Sequence, residues 1–436
     1  MLTEKKVIET NDPKMTAAWW DDFLLKCRNF TETTVIKNVL SDKDCDDLTD
    51  MTLSAVREIC TRQICDFDFR FYLGAESMND EYLRNNIFPH PPLPGESLTE
   101  WANRVFPGLK FGIILNYGEK FSPLMAETIG QYANPLLEKI GIPVNGTCIT
   151  IFIGNYGYTP LGIHQDHKGE NVLHFHLGPG GKVMYNWEVD DFKKRGGHQN
   201  FMDVETMLPY ATAFPFKKGD LFYMPWDKFH IGYSDELSIG VSLWFNNITR
   251  KKMINKLISA IQLQYADQDD DTITQPERNL AALQGFREIE ALFKMDEHIA
   301  SLHVGDFFKY NYQEYMRALF SNAGWRSRPL SLDQETGYDE NAFEHLRGKW
   351  IQRVAPFILH YKVSTAADRL IIYCRASKVE INYHPELIRI VEQINTGNSF
   401  LVDDLIAGLA QEWPEEAGLY FLSLLYNKRG IQTVKR

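Results

Sequence analysis

Gly162-Ile163-His164-Gln165-Asp166-His167 and Gly219-Asp220-Leu221-Phe222-Tyr223-Met224-Pro225-Trp226-Asp227-Lys228-Phe229-His230 are the stretches on which the reading of this 436-residue chain turns. In the first, a histidine and an aspartate stand two residues apart, so on extended backbone both side chains leave the same face. The second opens on a Gly-Asp turn, continues as a Leu-Phe-Tyr strand, is broken by Pro225 and reaches His230 five residues later. Val241-Ser242-Leu243-Trp244-Phe245 reads as a further strand behind it, so His230 belongs to the late strands of a β-rich region.

His164, Asp166 and His230 are therefore the candidate metal ligands. Two imidazoles and one carboxylate occupy one face of an octahedron and leave three positions open, a donor set suited to a divalent ion that changes redox state. A closed set of four ligands would be structural, whereas an open set admits a bidentate ligand and O2. An HxD pair alone is common by chance, and a lone histidine is more often core or surface. The conjunction of the two stretches carries the reading.

The chain around these stretches is built of short β-branched and aromatic runs separated by glycine turns. Gly146 to Ile153 is one such strand, and the β-rich texture continues to about Phe245, with turns at Gly154-Asn155, Gly178-Pro179-Gly180-Gly181, Gly196-Gly197 and Lys218-Gly219-Asp220. Many short strands with such turns fit a double-stranded β-helix, the cupin jelly roll. Ahead of it, Ser41 caps a helix over Cys45–Cys60, and residues 122–140 read as a second helix with Leu124, Ile129, Leu136 and Leu137 near its apolar face. Residues 80–110, with five prolines, read as loop.

The run Thr159-Pro160-Leu161-Gly162-Ile163-His164-Gln165-Asp166, the turn from Leu177-Gly178 to Lys182, and Gly219-Asp220 to His230 together resemble the Jumonji-C oxygenases. These are cupin-fold enzymes that use Fe(II), 2-oxoglutarate and O2. The resemblance is strongest to those that hydroxylate protein side chains, such as the ribosomal oxygenases and the asparaginyl hydroxylase of hypoxia signalling, and its motifs span residues 145–247. It implies that Lys182, after its glycine-rich turn, binds the distal carboxylate of 2-oxoglutarate, with Thr159 and Asn171 as further contacts. The turn before Lys182 and the gap from Thr159 to His164 are each two residues longer than the family pattern, and Trp244 stands where the family often has asparagine. His174 and His176 share one strand face. An unbulged strand sends Asn171 to the other, so only one of these sets lines the pocket.

After Asn247 the texture becomes helical. Ile248–Tyr265 carries Met253, Ile254, Leu257, Ile258, Ile261 and Leu263 in helical rhythm, and a second helix from about Pro276 carries Leu280, Leu283, Phe286, Ile289 and Leu292. These helices either form a homodimer interface or pack on their own barrel. Towards the C-terminus, Leu370–Tyr373 and Val379–Asn382 read as strands. Pro385–Ile394, Val402–Leu409 and Pro414–Tyr426 read as helices, and Gly430–Val434 as a last strand, an order that describes a winged helix. From Tyr361 to Arg436 there are nine Lys/Arg and nine Asp/Glu, a poor match to phosphate, so a peptide or protein partner is favoured over nucleic acid. The order also resembles the leader-peptide recognition domains of peptide-modifying pathways.

The expected fold class is α+β, with a double-stranded β-helix core, flanking helices, a helical linker and a C-terminal winged helix. The divisions are 1–247, catalytic; 248–345, linker or dimerisation region; and 346–436, peptide or protein recognition. Hydrophobic residues make up 44% and charged residues 24% of the chain, as in ordinary globular proteins, and the formal net charge of -12 argues against nonspecific attraction to nucleic acid or anionic membrane. No secretory signal or membrane span is expected, and six dispersed cysteines read as free thiols in a reducing cytoplasm. Three functions remain open at this level: hydroxylation of a peptide or protein side chain, the same chemistry on a small molecule such as a free amino acid, and a non-enzymatic metal-binding cupin.

Overall fold

The computed structural model describes residues 3–4, 15–65, 68–274, 276–277, 281, 283–364, 368–409 and 413–435, a mixture of helices and largely antiparallel sheets. An eight-stranded sheet runs in the order Thr34–Ile36, Leu221–Met224, Glu170–Pro179, Ser238–Asn246, Thr147–Gly154, Phe111–Asn116, Phe69–Leu73, Glu76–Ser77. A second, six-stranded sheet runs Thr3–Glu4, Thr212–Phe216, Lys182–Trp187, Phe229–Ser234, Gly157–Tyr158, with His164–Gln165 also pairing on Phe229–Ser234.

Strand periodicity divides the first sheet into two faces. On Thr147–Gly154 the residues Ile149, Ile151 and Ile153 are fully buried in the main core, while Cys148, Thr150 and Phe152 face a cavity. Ser238–Asn246 repeats the pattern, with Val241, Leu243 and Phe245 in the core and Ser242, Trp244 and Asn246 on the cavity. The core face packs against the helices Ala17–Lys26, Asp42–Arg62 and Pro123–Ile140 through Trp20, Phe23, Leu48, Val56, Ile129 and Leu136. Each such aliphatic side chain contributes about 1.5–3 kcal/mol by leaving water.

Ser41 caps the helix Asp42–Arg62 in a reciprocal capping box with Asp44, so that helix extends beyond the expected Cys45–Cys60 at both ends. In Pro123–Ile140 the expected apolar residue Leu124 is 57% exposed, because it falls on the solvent side of the stripe formed by Ile129, Leu136 and Leu137. Residues 80–110 are not all loop. Asp80–Tyr82 and Leu83–Ile87 form a short helical stretch, and Leu98–Val105 is a helix with a Ser97/Glu100 capping box. The prolines at 89, 91, 92 and 94 lie between these elements and Pro107 lies beyond them, so none interrupts a helix.

The helix expected over Ile248–Tyr265 runs Arg250–Tyr265, with Leu257, Ile261 and Tyr265 inward and Ile254, Ile258 and Leu263 exposed. The second begins at Gln284, not Pro276, and Leu280 lies outside the described residues. The C-terminal residues build their own core from Leu346 to Ile431. Two three-stranded sheets appear there, because Trp350–Arg353, His360–Ser364 and Phe400–Leu401 add strands that the expected pattern lacked. This unit docks through Arg375, whose Nε donates to Asn322 Oδ1 at 3.0 Å and whose Cζ lies 3.4 Å from the Phe357 ring centroid. Beside it Tyr373 donates to Glu314, which also accepts from Lys362 at 2.7 Å. None of the six cysteines forms a disulfide, and no helix among the described residues is long and apolar enough to cross a membrane.

Glu119 is fully buried, and its Oε2 accepts from the Ile149 N–H at 2.8 Å, tying the segment after Phe111–Asn116 to the central strand. Burial pushes its carboxyl up to about 7, against the lowering effect of that hydrogen bond and of the Arg326 charge. The folded state therefore holds a proton that the unfolded chain releases near pH 4.5. Stability falls as pH rises from that point to about 7 and then levels. Glu119→Gln, which keeps an acceptor and carries no charge, should remove this decline. Relative to the parent, it should gain on the order of 2–3 kcal/mol at pH 8 and little at pH 5, as read by chemical denaturation at the two pH values.

Candidate metal centre

Antiparallel pairing sets His230 directly opposite His164, and the two imidazole centroids lie 4.3 Å apart. Asp166 Oδ2 lies 3.9 Å from His230 Nε2, and the donor atoms of the three residues all fall within 4.8 Å of one another. Each histidine's Nδ1 is placed against the carbonyl two residues before it, His164 on Gly162 O at 2.9 Å and His230 on Lys228 O at 3.3 Å. With the proton held at Nδ1, each Nε2 offers a lone pair to the common point. Burial holds both imidazoles down to about 4, so they are neutral at physiological pH, and for His164 the neighbouring His230 adds to the effect. Burial also pushes Asp166 up to about 6, against the charges of His164 and His167. Its Oδ2 is buried without a hydrogen-bond partner. An orphaned carboxylate oxygen between two oriented imidazole lone pairs is a donor set that fits a divalent iron.

The strand that carries His164, with Asp166 just beyond its end, is only two residues long. It is held by the excursion between Lys182–Trp187 and Thr212–Phe216. Ile163 pairs with Phe201 in an antiparallel bridge, and Asn200 Nδ2 donates to Leu161 O at 2.9 Å. Gln199 accepts from the Gln165 N–H and donates to the Gln165 carbonyl, both at 3.0 Å. One amide side chain thus stands in for a strand partner at the residue between His164 and Asp166. Gly162, at φ +69°, admits this approach, since a Cβ there would lie 2.8 Å from both Met202 Sδ and Phe201 O. Beneath, Ile163 is fully buried with Trp187, Phe192, Val204, Met207 and Phe229.

The ligands open into a cavity of about 400 Å³ between the two sheets. Lys182 begins its strand as expected and is 5% exposed. Its Nζ donates to Tyr156 Oη at 2.8 Å and lies 5.3 Å from the Phe152 ring centroid, with no carboxylate in ion-pair range among the described residues. Thr159 stands beside it, both lying about 3 Å from where a Cβ on Gly232 would sit, and its hydroxyl contacts Gly232 O at 3.1 Å. Asn171 is not brought to the cavity. Its Oδ1 accepts from the Trp226 N–H at 3.3 Å, because strand parity sends residues 171, 173 and 175 away from the cavity and 170, 172 and 174 towards it. His174 takes the place expected for Asn171, with Nδ1 2.8 Å from Ser242 Oγ and Nε2 buried without a partner. Burial, and then the Lys182 charge, hold it well below the usual histidine range. His176 lies deeper, on Gly180 O at 2.7 Å.

Arg70, Asn116, Tyr117 and Arg326 also line the cavity, and none was foreseen. Arg326 follows the long helical excursion and returns because Gly324–Arg326 pairs with Thr147. Thr147 N–H donates to Gly324 O at 2.7 Å and Arg326 N–H to Thr147 O at 2.8 Å. Only the buried Trp325 hinted at this, as a large aromatic needing a core. The Gly-Asp turn has a structural role: Asp220 is fully buried and accepts from Lys37 Nζ and the backbone N–H groups of Asn38 and Lys217.

Gln199→Ala removes both hydrogen bonds to Gln165 while leaving all three ligands. It should weaken cobalt(II) binding on the order of tenfold, read as a shift in the visible-absorption titration, with a melting temperature near that of the parent.

No protein-family model matches the chain, and no curated protein sequence matches it. Among solved structures it is similar to ycfD of Escherichia coli at 15% identity and a TM-score of 0.49, the match covering 95% of this chain and 98% of that one. Two further similar structures are YcfD, a ribosomal oxygenase of Escherichia coli, in complex with cobalt and succinic acid and in complex with cobalt and 2-oxoglutarate. Each is 14% identical with a TM-score of 0.48 over the same shares of the two chains.

Proposed function

We propose that this chain is an Fe(II)- and 2-oxoglutarate-dependent oxygenase that hydroxylates a side chain of a peptide or protein, and that its two facing sheets form a double-stranded β-helix. The observation that carries the reading is the pairing, in one cavity, of an open two-histidine, one-carboxylate set with a buried lysine that has no carboxylate in ion-pair range among the described residues. A buried ammonium is costly unless an anion meets it, and the distal carboxylate of 2-oxoglutarate is an anion of the required reach. Iron held by His164, Asp166 and His230 supplies the chemistry with O2, in which substrate C–H, O2 and 2-oxoglutarate become C–OH, succinate and CO2.

The protein's part is ligation, orientation and exclusion of water. Lys182 fixes one end of the co-substrate and Thr159 turns its hydroxyl from Gly232 O towards the same carboxylate. With Ser242 donating to Nδ1, His174 carries its proton on Nε2 and adds a neutral donor next to Lys182. Phe152, Val172, Met184 and Phe222 supply apolar walls that keep the centre dry. No protein nucleophile or general base is called for. In this reading residues 1–247 are the catalytic division, 248–345 the linker with its half-exposed apolar helices, and 346–436 a winged-helix unit that recognises the peptide or protein.

Purified protein supplied with Fe(II), 2-oxoglutarate and O2 should form succinate. Asp166→Ala and His230→Ala should each lower that rate by at least about 100-fold. Lys182→Met should raise the KM for 2-oxoglutarate on the order of 10- to 100-fold with a smaller change in kcat. A fully active Asp166→Ala protein would overturn the proposal.

A further inference from the structure

Resting on the oxygenase reading, we infer that the end of the cavity remote from Lys182 is a carboxylate-binding subsite built on Arg326, and that the substrate presents a carboxylate there. Two strands measure the separation. Lys182 lies by Phe152 and His174, whereas Arg326 pairs at Thr147 and interacts with Cys148 and Glu170. On each strand the two ends are four to five residues apart, roughly 13–16 Å. Asp166 acts electrostatically on Glu170, and His230 pairs opposite Asn186, four residues along the strand from Lys182, so the candidate metal ligands lie towards the Arg326 end. Two cations at opposite ends of one cavity, with the candidate metal ligands nearer the second, fit a co-substrate that reaches from Lys182 to the metal and a substrate that enters on the Arg326 side.

Arg326 is held ready for such a role. Its backbone N–H is fixed on Thr147 O, its Nε donates to Asn145 O at 3.1 Å, and its Cζ lies 5.9 Å from the Tyr117 ring centroid. Tyr117 itself adopts the left-handed conformation at φ +55°, a strain that turns its ring into the cavity. Nε is engaged and the side chain also bonds to Tyr117, so the guanidinium offers its remaining N–H groups to a planar carboxylate. Among the described residues no carboxylate forms an ion pair with Arg326. Glu170 is the acid on this cavity wall, and burial raises its carboxyl above the usual range.

The buried Glu119 and Glu170 both feel the Arg326 charge, burial raises both carboxyls, and two further cations stand on the same side. Lys256 bonds to the Asn145 side chain and is held down to about 8, first by burial and then by the Arg326 charge. Lys252 acts on Glu170 from the same helix. Trp244, paired in register with Cys148, contributes an indole N–H that is buried without an acceptor. A chain of net charge -12 thus gathers cations and unused donors at this one wall. The overall negative charge disfavours a polyanion, so a carboxylate fits better than a phosphate backbone.

The test follows succinate formation with Fe(II), 2-oxoglutarate and O2. Candidate substrates are a library of capped peptides containing Asp or Glu, its Asn and Gln counterparts, free aspartate and glutamate, and a single-stranded oligoribonucleotide. Acidic peptides or free acids should stimulate at least tenfold more than the amides, and the responding arm tells peptide from small molecule. Arg326→Gln should raise the KM of the responding acid on the order of 10- to 100-fold with a smaller effect on kcat, and Arg326→Lys should recover part of it. Cobalt(II) titration of each variant reports folding and the metal centre independently of turnover. Equal stimulation by amides, or stimulation by the oligoribonucleotide alone, overturns the subsite. So does basal, substrate-independent succinate formation that no acid increases. Absence of basal succinate formation by the parent overturns the oxygenase reading and the subsite with it.

Discussion

Everything at the centre depends on a two-residue strand lying in register against Phe229–Ser234. A one-residue slip in that pairing would turn His164 and Asp166 to the opposite face and leave His230 alone. Two ladder positions are too few to specify register unaided. The shortage is made up laterally: the Ile163–Phe201 bridge, the Gln199 side chain on Gln165 and the buried Ile163 side chain all act on the same few residues. The excursion over residues 188–211 is thus a brace for the ligands, built on its own small core around Phe192 and Phe229.

The cavity is costly to maintain. A lysine, an aspartate oxygen, a histidine nitrogen and an indole N–H are all removed from water without full compensation inside the protein. Each such group costs on the order of 1–3 kcal/mol when left unpaired. They lie on one side of sheets whose other side is tightly packed with Ile, Leu, Val and Phe, and that packing offsets the cost. Strand parity makes the division possible: the same three strands supply the apolar face at odd positions and the polar cavity at even ones.

The helical excursion after Asn247 has a consequence at the cavity. It ends on Gly324–Arg326, which pairs with the edge at Thr147, while Trp325 is buried against the helix Pro123–Ile140, its Nε1 donating to Ala126 O at 3.1 Å. Arg375 and the Glu314 network secure the C-terminal unit to that same excursion. A residue eighty positions beyond the last strand of the cavity therefore completes its wall, and the C-terminal unit is joined mechanically to the segment that delivers it.

The sequence by itself determined which three side chains converge, His164, Asp166 and His230, and also the lysine after the glycine turn, most of the strands and the capped helices. These depend on local spacing, β-branched runs, turn residues and caps, all of which act within a few residues. It also posed the alternative between Asn171 and His174 correctly, since parity permits only one of them. Tertiary structure alone decided which, because the choice depends on the face of Glu170–Pro179 that the main core covers. It alone placed Gln199, Tyr117 and Arg326, whose partners lie roughly 30 to 210 residues away and leave no periodic trace. Helices in the proline-rich segment escaped for a different reason: composition averaged over 80–110 hid the Ser97/Glu100 cap, although the cap itself is a local signal. What a short window of chain can satisfy is legible in order of residues; what requires two distant segments to share one buried space is decided only when the core closes.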